Sequence, residues 1–251
     1  MMNDELLIYR GTDLKVNNYI TIHQPTLGEI SDYGEIQYFN MVHTLTSVGA
    51  DLKWQLDMCG IDYTKISDFK LFYTILIENY SQEQTSILFG GLDFSKFALL
   101  QSEDETMRMI QKVENEKGEV IDYIIIDEFT YMMIVDYLRK AHGFKRNCQL
   151  PANESTKRIL IEDDKDEYER NKDKEQEPIL LNSISAMVNS EGFKYNNDTV
   201  WNLKICPFID SLKRIQKIKE SSLLLQSGYS GYGIDLKNIE KKQLNWLGEL
   251  D

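Results

Sequence analysis

Residues 162–177 read EDDKDEYERNKDKEQE, with nine acids, four bases and one aromatic. So little apolar area cannot enter a core, so packing has to be built on either side of this run. Two readings stay open for the segment: a solvated helix or mobile linker, and an acidic arm that shields or mimics a basic partner surface. Across ESTKRILIEDDKDEYERNKDK, acids and bases recur at three- and four-residue spacing, which favours an extended polar helix over coil. The organisation expected is an N-terminal lobe over 1–149, a charged helix or linker over 150–177 and a C-terminal lobe over 178–251.

Periodicity and punctuation predict the elements of the first lobe. LLIYR (6–10) and NYITIH (18–23) read as short strands around Gly11-Thr12-Asp13 turn chemistry. Thr26 with Glu29 is a capping box, followed by one or two helices to about Ser47, with Gly28 and Gly34 inviting a kink. ADLKWQLDMCG (50–60) predicts a short helix stopped by Gly60, and Ser67 caps a helix over DFKLFYTILIENY. Ser81 and Gln84 repeat the capping box. FALLQ (97–101), TMRMIQKV (106–113) and EVIDYIII (119–126) have strand character, with a turn at Glu116-Lys117-Gly118. Asp127 then caps a helix that Gly143 ends.

Beyond Pro178 the apolar pattern returns. A helix through Ile184, Met187 and Val188 ends at Gly192. Asp198 caps a turn with Val200, Trp201 and Leu203, and Pro207 opens a helix carrying Phe208, Leu212, Ile215 and Ile218. The fold class expected is mainly α with a minor antiparallel β part (α+β) and a helical C-terminal lobe.

The formal net charge of −13 argues against phosphate-backbone binding and against an anionic membrane surface. Apolar runs such as YIII (123–126) are far shorter than a membrane span. The start MMNDELLIYRG lacks a basic and an apolar signal region, so a cytosolic protein is expected. Cys59, Cys148 and Cys206 are far apart, without a CxxC, and are expected to be reduced and partly buried. His23, His43 and His142 form no metal-ligand spacing, and His43 is expected to be partly packed beside Phe39. GYSGYG (228–233) matches no phosphate-loop or dinucleotide fingerprint and reads as a tight aromatic loop for packing or recognition. No catalytic residue, cofactor or metal is therefore expected. The candidate partner-binding residues are Trp201, Tyr229, Tyr232 and Trp246, because aromatics dominate interface energetics. Core filling is an equal alternative for the two tryptophans.

HQPTLGEISDYGE (23–35), GIDYTKISDFKLF (60–72) and the tail GFKY…SLKRIQKI…QSGYSGYGIDLKNIEKKQLNWLGELD resemble a family of phage and prophage proteins of Gram-positive hosts. That family is encoded among structural genes near the tape-measure gene and is described as tail assembly chaperones or structural proteins. The resemblance implies a non-enzymatic role, with tape-measure or tail-tube protein as partner, self-association allowed, and residence in the host cytoplasm or, alternatively, the virion. A chaperone would bury apolar faces of the tape measure in helix-in-groove fashion while surplus negative charge keeps the complex soluble. The competing class is a permanent virion component, a tail adaptor or baseplate part.

With no ligand set and no cysteine framework in the sequence, thermal unfolding followed by circular dichroism is expected to be the same with EDTA or a reductant as without. A midpoint lowered by several degrees in EDTA would show a structural metal.

Overall fold

Side-chain caps from Thr, Ser, Asp and Asn start five of the described α-helices. The computed structural model describes residues 5–101, 106–230, 233 and 235–250. In order these form α1 (Glu5–Tyr9), β1 (Leu14–Lys15), β2 (Thr21–Ile22), α2 (Leu27–Tyr33), α3 (Glu35–Thr46), α4 (Lys53–Met58), α5 (Asp68–Leu71), α6 (Gln82–Phe89), β3 (Ala98–Gln101), β4 (Met107–Glu114), β5 (Val120–Ile126), α7 (Glu128–His142), α8 (Glu154–Asn171), α9 (Leu180–Val188), α10 (Ile205–Tyr229) and α11 (Lys241–Leu244). The fold is mainly α with two small antiparallel sheets.

Four expected caps are in place, at Thr26, Ser67, Ser81 and Asp127, and Asn153 adds one that was not expected. Thr26 and Glu29 close a reciprocal box at α2, and Ser81 with Gln84 closes one at α6. Asp127 accepts from the Thr130 N–H at α7, and Asn153 from the Thr156 N–H at α8. The helix break falls at Gly34, whose φ of 103° no β-carbon tolerates well; it ends α2 and begins α3. Gly143 ends α7 in the left-handed region.

One apolar cluster draws on both sides of the charged run. It contains Leu27, Ile30, Tyr38 and Met41 from α2 and α3, Met109 and Ile126 from the larger sheet, and Ile134 and Leu138 from α7. It also contains Ile184 of α9 with Ile205 and Phe208 of α10. A smaller cluster of Leu56, Tyr63, Leu71 and Leu76 receives Ile161 from α8. In the larger sheet β4 is central, and the inward pair Met109 and Ile126 is buried. The opposite face pairs Leu100 with Arg108 and Lys112 with Tyr123.

Buried polar bonds join the start of α10 to the amino-terminal elements. The Ile205 N–H donates to the Pro25 carbonyl at 3.0 Å and the Leu27 N–H to the Leu203 carbonyl at 2.9 Å. Gln24 is 1% exposed. Its Nε2 donates to the Ile8 carbonyl at 3.0 Å and to the Tyr137 hydroxyl at 3.4 Å, and its Oε1 accepts from the Cys206 N–H at 3.3 Å. Tyr137 donates in turn to the Thr12 carbonyl at 2.8 Å.

Several expectations are corrected. LLIYR is not a strand: residues 5–9 are α1, and the N–H groups of Arg10 and Thr12 bond back to Leu6 and Leu7. A short apolar run carries no period that separates strand from helix. The strand in NYITIH is Thr21–Ile22, paired with Leu14–Lys15. The single helix after Ser67 is divided into α5, a π turn over Phe72–Leu76 and a 3-10 turn over Ile77–Asn79. There the Thr74 hydroxyl and the Asn79 amide bond the Lys70 and Ile75 carbonyls, competing with the regular ladder. Asn196 rather than Asp198 caps the turn before Val200, accepting from the Thr199 N–H. α10 starts two residues before Pro207, since Ile205 and Cys206 find tertiary acceptors for their N–H groups. Cys59 and Cys148 are exposed, and Cys206 is half-buried; all three are free thiols.

Replacing Gln24 by Leu keeps the volume but strands the Cys206 N–H, whereas the Ile8 carbonyl keeps the Gly11 N–H. Urea unfolding should show a loss of roughly 1–3 kcal/mol, the cost of one stranded group. A loss below about 0.5 kcal/mol, within the range of a surface substitution, would mean that the amide is not a structural hub.

Candidate functional site

A strongly apolar concavity forms where α3, α9 and α10 converge beside the end of α7. It is an open groove of about 560 Å³, within the usual range for ligand-binding clefts. Ile36 and Phe39 form one wall, Ile209 and Leu212 the other, with Phe144 and Leu180 between them. Each wall is one helix face: 36, 39 and 43 on α3, and 205, 208, 209 and 212 on α10, follow three- and four-residue spacing.

Its floor is a satisfied polar pair. His142 is 3% exposed. Its Nδ1 lies 2.7 Å from the Leu138 carbonyl, which can only accept, so Nδ1 carries the proton. Nε2 is then an acceptor, and the Tyr38 hydroxyl donates to it at 2.5 Å. Burial pushes His142 down to about 4, against a smaller upward pull from the Leu138 bond. Burial also raises Tyr38 well above its ordinary value. The pair is neutral and rigid, which suits a floor rather than an acid–base catalyst.

The rim is tied across helices. The Glu35 carboxylate accepts from the Ile179 and Leu180 N–H groups, both at 2.5 Å, so a side chain of α3 caps α9. Asn40 donates to Gln176 at 2.8 Å and holds the approach to α9 against α3. His43 is exposed, with its ring 6.1 Å from that of Phe144.

The predicted aromatics lie elsewhere. Trp201 is 40% exposed in a 3-10 turn against α2, where a β-carbon on Gly28 would meet its carbonyl at 3.1 Å. Tyr229 is 82% exposed in the last turn of α10. Trp246 is 46% exposed on a carboxyl-terminal strap, and its carbonyl accepts from Arg214 at 2.6 Å. Tyr232 lies outside the described residues. Among the described residues the structure brings none of these together and puts none in the groove. GYSGYG is partly helical: Gly228 and Tyr229 close α10, and the missing side chain at Gly228 makes room for Leu236.

Sequence reasoning missed two surfaces. The groove draws on α3, the end of α7, α9 and α10, and no local pattern shows that these faces meet. The other is the outward face of the larger sheet, where Leu100, Ile121, Tyr123 and Ile125 are exposed. Among the described residues no group of three or more His, Cys, Asp or Glu is placed to hold a metal ion, and no helix is long and apolar enough to cross a membrane.

A family model described as YomV second domain matches residues 171–251, about a third of the chain. That family is phage-associated, and the match supports a phage protein. It covers α9 to α11 and thus one wall of the groove; the α3 wall lies outside it. No curated protein and no solved structure matches the chain.

His142 generates a pH dependence of stability. Its folded pKa of about 4 lies below the unfolded value of 6.5, so the unfolded chain takes up the proton first. Stability from the buried neutral ring is complete above pH 6.5 and falls between there and about pH 4, by roughly 3 kcal/mol at 1.36 kcal/mol per unit. Urea unfolding at stepped pH should show this fall, and the double variant Tyr38→Phe/His142→Leu should flatten it. An unchanged slope in the variant would assign the fall to the carboxylates.

Proposed function

We propose that this chain is a non-enzymatic phage tail-morphogenesis protein, a tail assembly chaperone that binds the tape-measure or tail-tube protein in the host cytoplasm. The observation that carries this reading is the open apolar groove walled by helix faces, which suits a partner helix laid along it. An acidic surface around an apolar groove lets a protein cover a hydrophobic segment and keep the pair in solution. The match to a phage-associated family sets the biological context. Trp201, Tyr229 and Trp246 are exposed and would extend the contact outside the groove.

A second reading is favoured by one observation, the exposed apolar outer face of the larger sheet. Leu100, Ile121, Tyr123 and Ile125 would suit the fixed interface of a tail adaptor or baseplate part.

Co-expression separates the two. As a chaperone, the chain raises the soluble fraction of co-expressed tape-measure or tail-tube protein and is missing from finished particles analysed by quantitative mass spectrometry. Stoichiometric presence in the particles, with no effect on solubility, would replace the chaperone reading with the adaptor one. Tyr229→Ala/Tyr232→Ala should leave folding intact and weaken co-purification by about tenfold if the end of α10 contributes an aromatic hot spot; unaltered co-purification would confine the contact to other surfaces.

A further inference from the structure

The groove's dimensions and charges narrow the occupant further, on the premise that the groove is a docking site. A helix is about 10–12 Å across with its side chains, so a cavity of about 560 Å³ cannot swallow one. It can take a few side chains from a helix lying along the mouth. The walls are aliphatic and aromatic, so the inserted side chains must be apolar and recur at three- and four-residue spacing.

The rim sets the charge. Two glutamates, Glu35 and Glu177, line the groove, and no lysine or arginine does. The Glu35 carboxylate is held by two N–H groups at the start of α9, so the lining carboxylate left exposed for a partner is Glu177. The surrounding chain adds to it, with a net charge of −13. An acidic helix would meet like charge at the mouth, whereas a basic one gains in attraction and association rate.

We infer that the groove between α3, α9 and α10 binds an amphipathic helix of a partner protein whose apolar stripe is flanked by lysine or arginine, with a basic residue next to Glu177. The inserted side chains fill the space over the Tyr38–His142 floor, and the basic flank stays at the water-exposed rim, where it selects the partner more than it adds affinity.

The test uses the full chain and two labelled synthetic peptides of about five helical turns that share one leucine stripe, with lysine flanks in one and glutamate flanks in the other. Fluorescence anisotropy at a salt concentration giving a Debye length of about 8 Å should show the lysine peptide binding at least about tenfold tighter. Ser183→Trp fills the groove without changing charge and should weaken binding about tenfold or more, a loss of 1.4 kcal/mol or more. Glu177→Lys should reduce the preference for the lysine peptide. If Ser183→Trp loses its cooperative melting, Leu212→Ser replaces it.

Equal binding of both peptides, still abolished by the groove variant, would overturn the charge assignment and leave helix docking standing. Binding of neither peptide, or binding that ignores the groove variants, would overturn the docking reading itself. Dodecanoate bound in the groove while neither peptide binds would assign it to a small apolar ligand. A dimer in sedimentation that Ser183→Trp dissociates would assign it to a second copy of the chain. Either result overturns the inference.

Discussion

The Gln24 amide is the contact on which the arrangement of this molecule depends. One side chain, 1% exposed, reaches α1 through the Ile8 carbonyl, α7 through the Tyr137 hydroxyl and α10 through the Cys206 N–H. The Ile8 carbonyl also accepts from the Gly11 N–H and the Tyr137 hydroxyl also reaches the Thr12 carbonyl, but the Cys206 N–H has Gln24 as its acceptor, and a donor left unmade costs more than it contributes when made. Apolar packing and the backbone bonds at Pro25 and Leu203 hold the three helices together, and the amide adds direction. In the resulting register α10 presents Ile209 and Leu212 towards α3.

The groove follows from that placement. Its floor is held by Tyr38 and His142, and the end of α7 is pinned to α3 by Arg139, which donates to the Thr46 carbonyl at 2.5 Å. The Glu35 cap and the Asn40–Gln176 bond fix α9 beside the same helix. Apolar side chains line the mouth, while the polar groups that set its shape bond one another beneath or beside it. A site built this way is preorganised for contact, since little side-chain freedom is lost when a partner arrives.

Charge and exposure are managed differently elsewhere. α8 has no buried residue, yet it is docked. Trp54 lies 4.7 Å from Tyr168 between ring centroids and donates its backbone N–H to Asp164 at 2.9 Å, and Lys157 reaches Asp62 at 2.8 Å. The Lys157 ammonium, together with the Thr64 hydroxyl, holds the Asp62 carboxyl well below its usual range. On the larger sheet, Asp122 of the edge strand β5 accepts from the Tyr123 N–H and the Tyr19 hydroxyl. A carboxylate there discourages another strand from pairing with this edge, while the apolar outward face of the same sheet stays open to contact.

Capping boxes, glycine stops and alternating runs made most element positions legible from residues alone: α2, α6, α7 and the three strands of the larger sheet stand close to where those signals put them. The reason is that caps and turns are local, closed within three or four residues by the chain's own groups. The segments that misled lacked such closure where they went wrong. LLIYR carries no period, and DFKLFYTILIENY carries a helical one that its own threonine and asparagine interrupt. The candidate site was less legible. Sequence identified Trp201, Tyr229 and Trp246 as large aromatics, and tertiary structure left them exposed and outside the groove. Ile36, Phe39, Ile209 and Leu212 have only the ordinary signature of helix faces. That these faces meet was decided by Gln24, Glu35 and His142, whose bonds span from a hundred to nearly two hundred positions of sequence and so leave no trace in any local pattern.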